Sequence, residues 1–282
     1  MNNQLHDNHV PIGVFDSGMG GLTVLRALKS LMPHESFVYL GDTARLPYGT
    51  KSPATVIQYA HKMVNILLRY DIKMLVIACN TASAAALPSL RKHFPQLPII
   101  GVIEPGAQAA FSASGNHHYA LLATETTLRS EVYQKHLFLL DPAAHIQTKS
   151  CGLFVALAEE NCVSGAIAQA VVKAYLTPII QETHEEGCII LGCTHFPVLA
   201  PAIRAFIGPK MRMIDSALAT AQSAKAILSR LKLLCDPSTQ ASPIVYLVTD
   251  NPERFVRIGP IFLGEKIQSA ITAGLESALE PA

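Results

Sequence analysis

Met74-Leu-Val-Ile-Ala-Cys79-Asn-Thr81 is a short apolar run that stops at a cysteine and two small polar side chains. An uninterrupted run of this length reads as a strand buried on both faces, the kind that lies in a parallel sheet covered by helices. Residues 53–70 before it carry helical spacing. Upstream, Val10-Pro-Ile-Gly-Val-Phe15 breaks at Asp16-Ser-Gly-Met-Gly-Gly21 and resumes at helical spacing with Leu22, Leu25, Leu28 and Leu31. That predicts strand, tight glycine turn, helix. Phe37-Val-Tyr-Leu40 predicts a further strand, ending at Gly41-Asp42-Thr43 ahead of the loop Arg45-Leu-Pro-Tyr-Gly49. Strands alternating with helices make a parallel α/β sheet, in which ligands gather beyond the carboxyl ends of the strands. Asp16, Asp42 and Cys79 stand at such ends.

The plan then repeats. After Pro98-Ile-Ile-Gly-Val-Ile103 and Glu104-Pro-Gly106, Tyr119-Ala-Leu-Leu-Ala123 breaks at Thr124-Glu-Thr-Thr127 as the first strand broke at Asp16. Cys188-Ile-Ile-Leu-Gly-Cys193-Thr-His195 parallels the run into Cys79. The offsets from Asp16 to Thr124 and from Cys79 to Cys193, 108 and 114 residues, are nearly equal. We expect two pseudo-symmetric parallel-sheet α/β domains, 1–102 with 214–282 and 103–213. Their loops would meet in a cleft that one thiol approaches from each side. The tail should hold a helix near 217–234, a strand near 244–249 and a last helix, returning to the first domain.

Composition narrows the function. The chain has 282 residues, 15% of them charged, and a net charge of +1. No global field would draw it to nucleic acid or an anionic membrane. No apolar run approaches the roughly 18 residues of a spanning helix, and residues 1–9 lack the order of a secretory leader, so a cytoplasmic protein is expected. Its six cysteines should then remain thiols. There is no CxxC pair, and Cys188 and Cys193 would face opposite sides of an extended run, so no metal site is expected. Cys151, Cys162 and Cys235 have no polar triplet beside them and read as buried filler.

The glycine turn at 16–21 offers N–H groups at a helix start. It lacks the Gly-Lys-Ser/Thr of a P-loop, and Thr23 stands where a dinucleotide fingerprint needs its third glycine. Asp16 there reads as a cap or as a proton-handling group. Pro47-Tyr48-Gly49 alone is a turn. Asn80, Thr81, Thr124, Thr127 and Thr194 place short hydrogen-bonding side chains at strand ends, which suits a polar zwitterion, although any of them could cap a helix. A thiol between strand and helix sits where the helix dipole favours thiolate, and His195 beside Cys193 could stabilise a thiolate or relay its proton.

Asp16-Ser17, Gly41-Asp42, Pro47-Tyr-Gly49, Ala78-Cys-Asn-Thr81, Ala123-Thr124 with Thr127 and Ser130, and Leu191-Gly-Cys-Thr-His195 together resemble the bacterial glutamate racemases of the aspartate/glutamate racemase superfamily. The resemblance runs along nearly the whole chain. It implies an enzyme without cofactor, usually a homodimer, that acts on glutamate and supplies D-glutamate for peptidoglycan. By position, Cys79 would be the base for the D-enantiomer, assisted by Asp16, and Cys193 the base for the L-enantiomer, assisted by His195. Asp16, Ser17, Tyr48, Gly49, Asn80, Thr81, Thr124, Thr127, Thr194 and His195 match substrate-binding positions, and Asp42 is a further candidate. Glu159 is the counterpart of a glutamate that follows Cys-Pro-Leu in many relatives. Here Gly152 replaces the proline and Asn161 the usual glycine.

The chemistry accounts for the residue types. Taking the α-proton from an amino acid without a cofactor that delocalises the charge leaves an unstable carbanion, which the protein must stabilise by placed donors in a site that excludes water. Inversion needs a base on one face and an acid on the other. Two thiols meet that need. The rival readings are a racemase of aspartate or a related acid, a non-catalytic binding or regulatory module, and a cysteine hydrolase, which would leave one of the two cysteines without a purpose.

Overall fold

The computed structural model describes residues 10–180, 187–238 and 241–274. Residues 1–9, on which the expectation about a secretory leader rests, lie outside them.

The strands in chain order are β1 (Ile12–Asp16), β2 (Phe37–Gly41), β3 (Met74–Ile77), β4 (Ile99–Gly101), β5 (His118–Ala123), β6 (His145–Ser150), β7 (Cys188–Gly192), β8 (Arg212–Asp215), β9 (Val245–Val248) and β10 (Ile271–Thr272). Between them run α1 (Leu22–Leu31), α2 (Pro53–Leu68), α3 (Asn80–His93), α4 (Ile103–Ala113), α5 (Glu125–Arg129), α6 (Val132–Leu140), α7 (Gly152–Glu159), α8 (Gly165–Ile180), α9 (Ala200–Ile207), α10 (Ala217–Leu231), α11 (Pro252–Ile258) and α12 (Pro260–Leu263). They form two sheets, one in the order β10-β9-β2-β1-β3-β4 and one in the order β6-β5-β7-β8. Every pairing is parallel. The fold is therefore two parallel-sheet α/β lobes.

Strand alternation divides each lobe's core in two. Ile12, Val14, Met74 and Val76 pack towards α1 and α10, whereas Phe15, Leu75 and Ile77 pack towards α2 and α3. In the second sheet Ala120, Leu122, Ile189 and Leu191 share one face, and Tyr119, Leu121, Cys188 and Ile190 the other. A side chain at such a strand position cannot reach the ligand, so the site falls to the residues just past the strand ends.

The tail differs in detail from its sequence reading. α10 stops at Leu231, where Lys232 takes φ 58 as its cap. In place of one last helix the chain makes α11 and α12 in succession, then β10. β9, which lies between α10 and α11, pairs with β2, Val38 opposite Val245. The cysteine expectation also needs correction. Cys151 and Cys188 are buried, but Cys162 and Cys235 are partly exposed. Cys235 lies against the buried Glu35–Lys73 ion pair, its thiol 3.3 Å from Glu35 Oε2 and 3.5 Å from Lys73 Nζ.

Candidate active site

Four strands of the two sheets end at one partly open cavity of about 20 Å³. Ser17 follows β1, Cys79 follows β3, Thr124 follows β5 and Cys193 follows β7. Tyr48, Gly49, Asn80, Thr81, Glu159, Thr194 and His195 complete the polar lining, with Leu46, Pro47 and Val155. Leu46 and Val155 were not singled out from the sequence, because an isolated apolar side chain carries no chemical signal.

Asp16, Asp42 and Thr127 stand behind this lining. Asp42 accepts a very short hydrogen bond from the Tyr48 hydroxyl, bonds from Arg45 Nε at 3.0 Å and Thr249 Oγ1 at 2.8 Å, and so fixes the Tyr48 ring as a wall. Thr127 backs Thr124 at 2.9 Å and Thr81 at 3.1 Å, and those two hydroxyls meet each other at 2.9 Å across the lobes. Asp16 is fully buried. Its Oδ2 accepts from the Gly18 N–H at 2.9 Å and from Tyr39 Oη at 3.4 Å, while Oδ1 has no partner.

The two thiols are about equally buried and differently partnered. Cys79 is the N-cap of α3: its sulfur accepts from the Ala82 N–H at 3.4 Å and its thiol donates to Ser17 Oγ at 3.3 Å. Burial, then the charge of Asp16, push this thiol up to about 12 against those hydrogen bonds. The helix start pulls towards thiolate as expected, through the Ala82 N–H, but desolvation outweighs that pull. Asp16 is itself raised, by burial, against the pull of His195 and of the backbone N–H groups at Gly21, Gly18 and Ser17.

Cys193 caps no helix. It leads through Thr194 and His195 into a 3₁₀ turn at Phe196–Leu199 before α9 begins. Its support is ionic instead. Cys193 Sγ lies 3.8 Å from His195 Nδ1, and His195 Nε2 lies 3.1 Å from Glu159 Oε1. Burial alone would depress the imidazole, but hydrogen bonds and charge from Cys193 and Glu159 overcome it and raise His195 to about 10. Glu159, whose altered flanks had set it apart, is thus joined to the Cys193 half. Gly20 makes this packing possible, since a Cβ there would lie 2.4 Å from His195 Nδ1. The edge of Phe262 closes the other side, ring centroids 5.4 Å apart.

Two buried polar atoms beside the cavity are unsatisfied, Asp16 Oδ1 and Asn80 Nδ2. Asn80 Oδ1 accepts from Tyr133 Oη at 2.8 Å, which leaves the amide N–H groups available as donors to a bound group. No lysine or arginine lines the cavity. An anionic group there would be held by the Asn80 amide and the hydroxyls of Ser17, Thr81, Thr124 and Thr194. Among the described residues no group of three or more His, Cys, Asp or Glu converges as a metal site would. None of the described helices is long and apolar enough to cross a membrane.

Known proteins similar to this chain are racemases. The Asp/Glu/Hydantoin racemase family matches residues 21–224. A glutamate racemase of Geobacter metallireducens is 41% identical over 271 residues, 95% of this chain and 98% of its own. The crystal structure of glutamate racemase from Francisella tularensis in complex with D-glutamate superposes with a TM-score of 0.88 at 34% identity, covering 96% of this chain and 99% of that one. The Thermus thermophilus glutamate racemase in complex with β-chloro-D-alanine gives 0.84 at 40% identity, with coverage of 96% and 99%. An aspartate racemase from Picrophilus torridus, at 17% identity and a TM-score of 0.55, shares the fold. This chain belongs to the Asp/Glu/Hydantoin racemase family and, within it, to the glutamate racemases.

Proposed function

We propose that the protein interconverts L- and D-glutamate by moving the α-proton between Cys193 and Cys79. The observation that carries this is two thiols, one from each lobe, on one cavity with opposite charges set against them. Cys193 faces an imidazolium, the partner a thiolate needs. Cys79 faces the Asp16 carboxyl group, which favours the neutral thiol. The resting site therefore holds the base on the Cys193 side and the acid on the Cys79 side, ready for L-glutamate; the D-enantiomer is taken from the reversed state.

Hydroxyl and amide donors around the cavity hold the substrate carboxylates, and fixed donors of this kind are strongest where water is excluded. A cavity of about 20 Å³ has room for a water or so and not for glutamate, so the lobes part to admit it. The protein acts without cofactor, as a homodimer in the cytoplasm, and its D-glutamate enters peptidoglycan. Support for this wider setting comes from the glutamate racemases it resembles, and size-exclusion chromatography with light scattering checks the dimer.

The test is incubation of purified protein with L-glutamate in deuterated water, without additives. Optical rotation should fall to zero as deuterium enters the α-carbon, and Cys79→Ser or Cys193→Ser should each lower the rate by about a thousandfold or more. Retention of optical rotation would refute the proposal, full activity in either variant would remove the two-base scheme, and turnover of aspartate alone would make this an aspartate racemase.

A further inference from the structure

Glu159, which meets His195 inside the cavity, has a second partner outside it. Arg254 reaches it from α11, in the tail that returns to the first sheet. Arg254 Nη2 lies 3.7 Å from Glu159 Oε2, donates to the Glu159 main-chain carbonyl at 3.3 Å and pairs with Glu160 Oε1 at 3.0 Å. From there Glu159 Oε1 touches His195 Nε2 at 3.1 Å, and His195 Nδ1 faces Cys193 Sγ at 3.8 Å. One connected set of polar contacts thus runs from the tail to a thiol of the other lobe.

The position of Arg254 shows that these contacts hold it. It sits in the first turn of α11, with Asn251 Oδ1 accepting its backbone N–H at 3.0 Å. The exposed N–H groups of a first turn repel a cation, so an arginine there needs anionic partners. Glu160 is 72% exposed, and a pair so exposed contributes little. Glu159, 10% exposed, is the partner that matters, because a carboxylate shielded from water needs its second oxygen compensated as well as its first.

We infer that Arg254 is a positioning residue for the Cys193 half of the site: it holds Glu159 with one oxygen on His195 and so keeps a carboxylate set against the ring that faces Cys193. It touches no substrate. The groups that face His195 are Cys193 on its own loop, Glu159 from α7 and Asp16 from β1, with Arg254 and Glu160 behind Glu159 and the neutral edge of Phe262 from α12. Without Arg254 the Glu159 carboxylate turns towards water. His195 then loses a partner that favours its charged form, and gives up its proton at a lower pH.

The inference rests on the racemase reading for one of two readouts only. The first follows the His195 ring by NMR across pH, its signal identified by loss in His195→Gln. The second is the pH profile of kcat/KM for L-glutamate. In Arg254→Gln the His195 midpoint should fall by about one unit, a tenfold change in the protonated fraction. The alkaline limb of kcat/KM should move with it while the neutral plateau changes little; a purely structural loss would instead lower the whole profile. Arg254→Lys should recover most of the shift. In a Glu159→Gln background Arg254→Gln should add less than about twofold, because the two act through one contact. An unmoved midpoint in Arg254→Gln, or effects that multiply with Glu159→Gln, would overturn the inference. Arg254→Met, which keeps the apolar stem, carries the same test should the glutamine variant fold poorly. A wild-type protein inactive on L-glutamate would sink the racemase reading and leave the NMR arm to judge Arg254.

Discussion

Cys79 and Cys193 differ in what surrounds them and hardly at all in burial, 5% and 7% exposed. Charge is therefore the variable that sets their reactivity. With a neutral reagent such as iodoacetamide at neutral pH, Cys193 should alkylate at least about tenfold faster than Cys79, since only thiolate reacts. Peptide-resolved mass spectrometry reads the two rates, and equal rates or the reverse order would remove the asymmetric resting state. Much of the lining was singled out from the sequence: both thiols, Ser17, Asn80, Thr81, Thr124, Thr194 and His195 follow apolar runs, whereas Tyr48 and Gly49 lie in a turn well beyond β2 and were carried by the resemblance alone. Asp16, Asp42 and Thr127 were read as neighbours of the ligand and stand one layer back, because residue type and strand-end position cannot distinguish lining from support. The net shift at Cys79 was not legible for a related reason. A helix start is visible in sequence, whereas the depth of burial that overrides it is a property of the packed lobes.

Elements with a continuous apolar run, β1, β3, β5 and β7, were read from the sequence alone because they are sheet interior and buried throughout, but for His118 at the start of β5. β6 and β8 were not, because they are edge strands with exposed and partly exposed residues and lack such a run. The one last helix expected after β9 is instead the pair α11 and α12, and the placing of Arg254 on the first of them was not read. The start of α11 depends on Asn251, which takes φ 48 and caps the first turn through Oδ1. Asn251→Ala removes that cap at about 1 kcal/mol and adds the strain of a left-handed alanine. The melting temperature should fall by roughly 2–4 °C or more, and the alkaline limb of the activity profile should move as in Arg254→Gln. Asn251→Gly, free to take a positive φ, should show the smaller thermal loss. Calorimetry and initial rates check both, and an unchanged pH profile in Asn251→Ala would detach the cap from the site.

Across the whole molecule, the lobes close on each other through side chains that never enter the cavity. Thr126 Oγ1 lies 2.9 Å from the carbonyls of both Gly49 and Lys51, and Thr23 Oγ1 lies 3.3 Å from the Thr194 carbonyl. Gly49 itself leaves no room for a side chain, as a Cβ would fall 2.5 Å from Thr124 Cβ. Parting the lobes breaks these contacts together, so one opening event should expose both thiols. Thr126→Val keeps the side-chain shape and removes the hydroxyl, weakening closure by about 1 kcal/mol, which raises the open fraction about fivefold. Alkylation of Cys79 and Cys193 should then accelerate by the same factor, with the ratio between them unchanged, because the ratio belongs to the charges and the factor to the opening. On the proposed function, saturating glutamate should slow both labels in parallel. Acceleration at one thiol alone would mean that each cysteine is reached by its own local motion, and the two lobes would then not open as a unit.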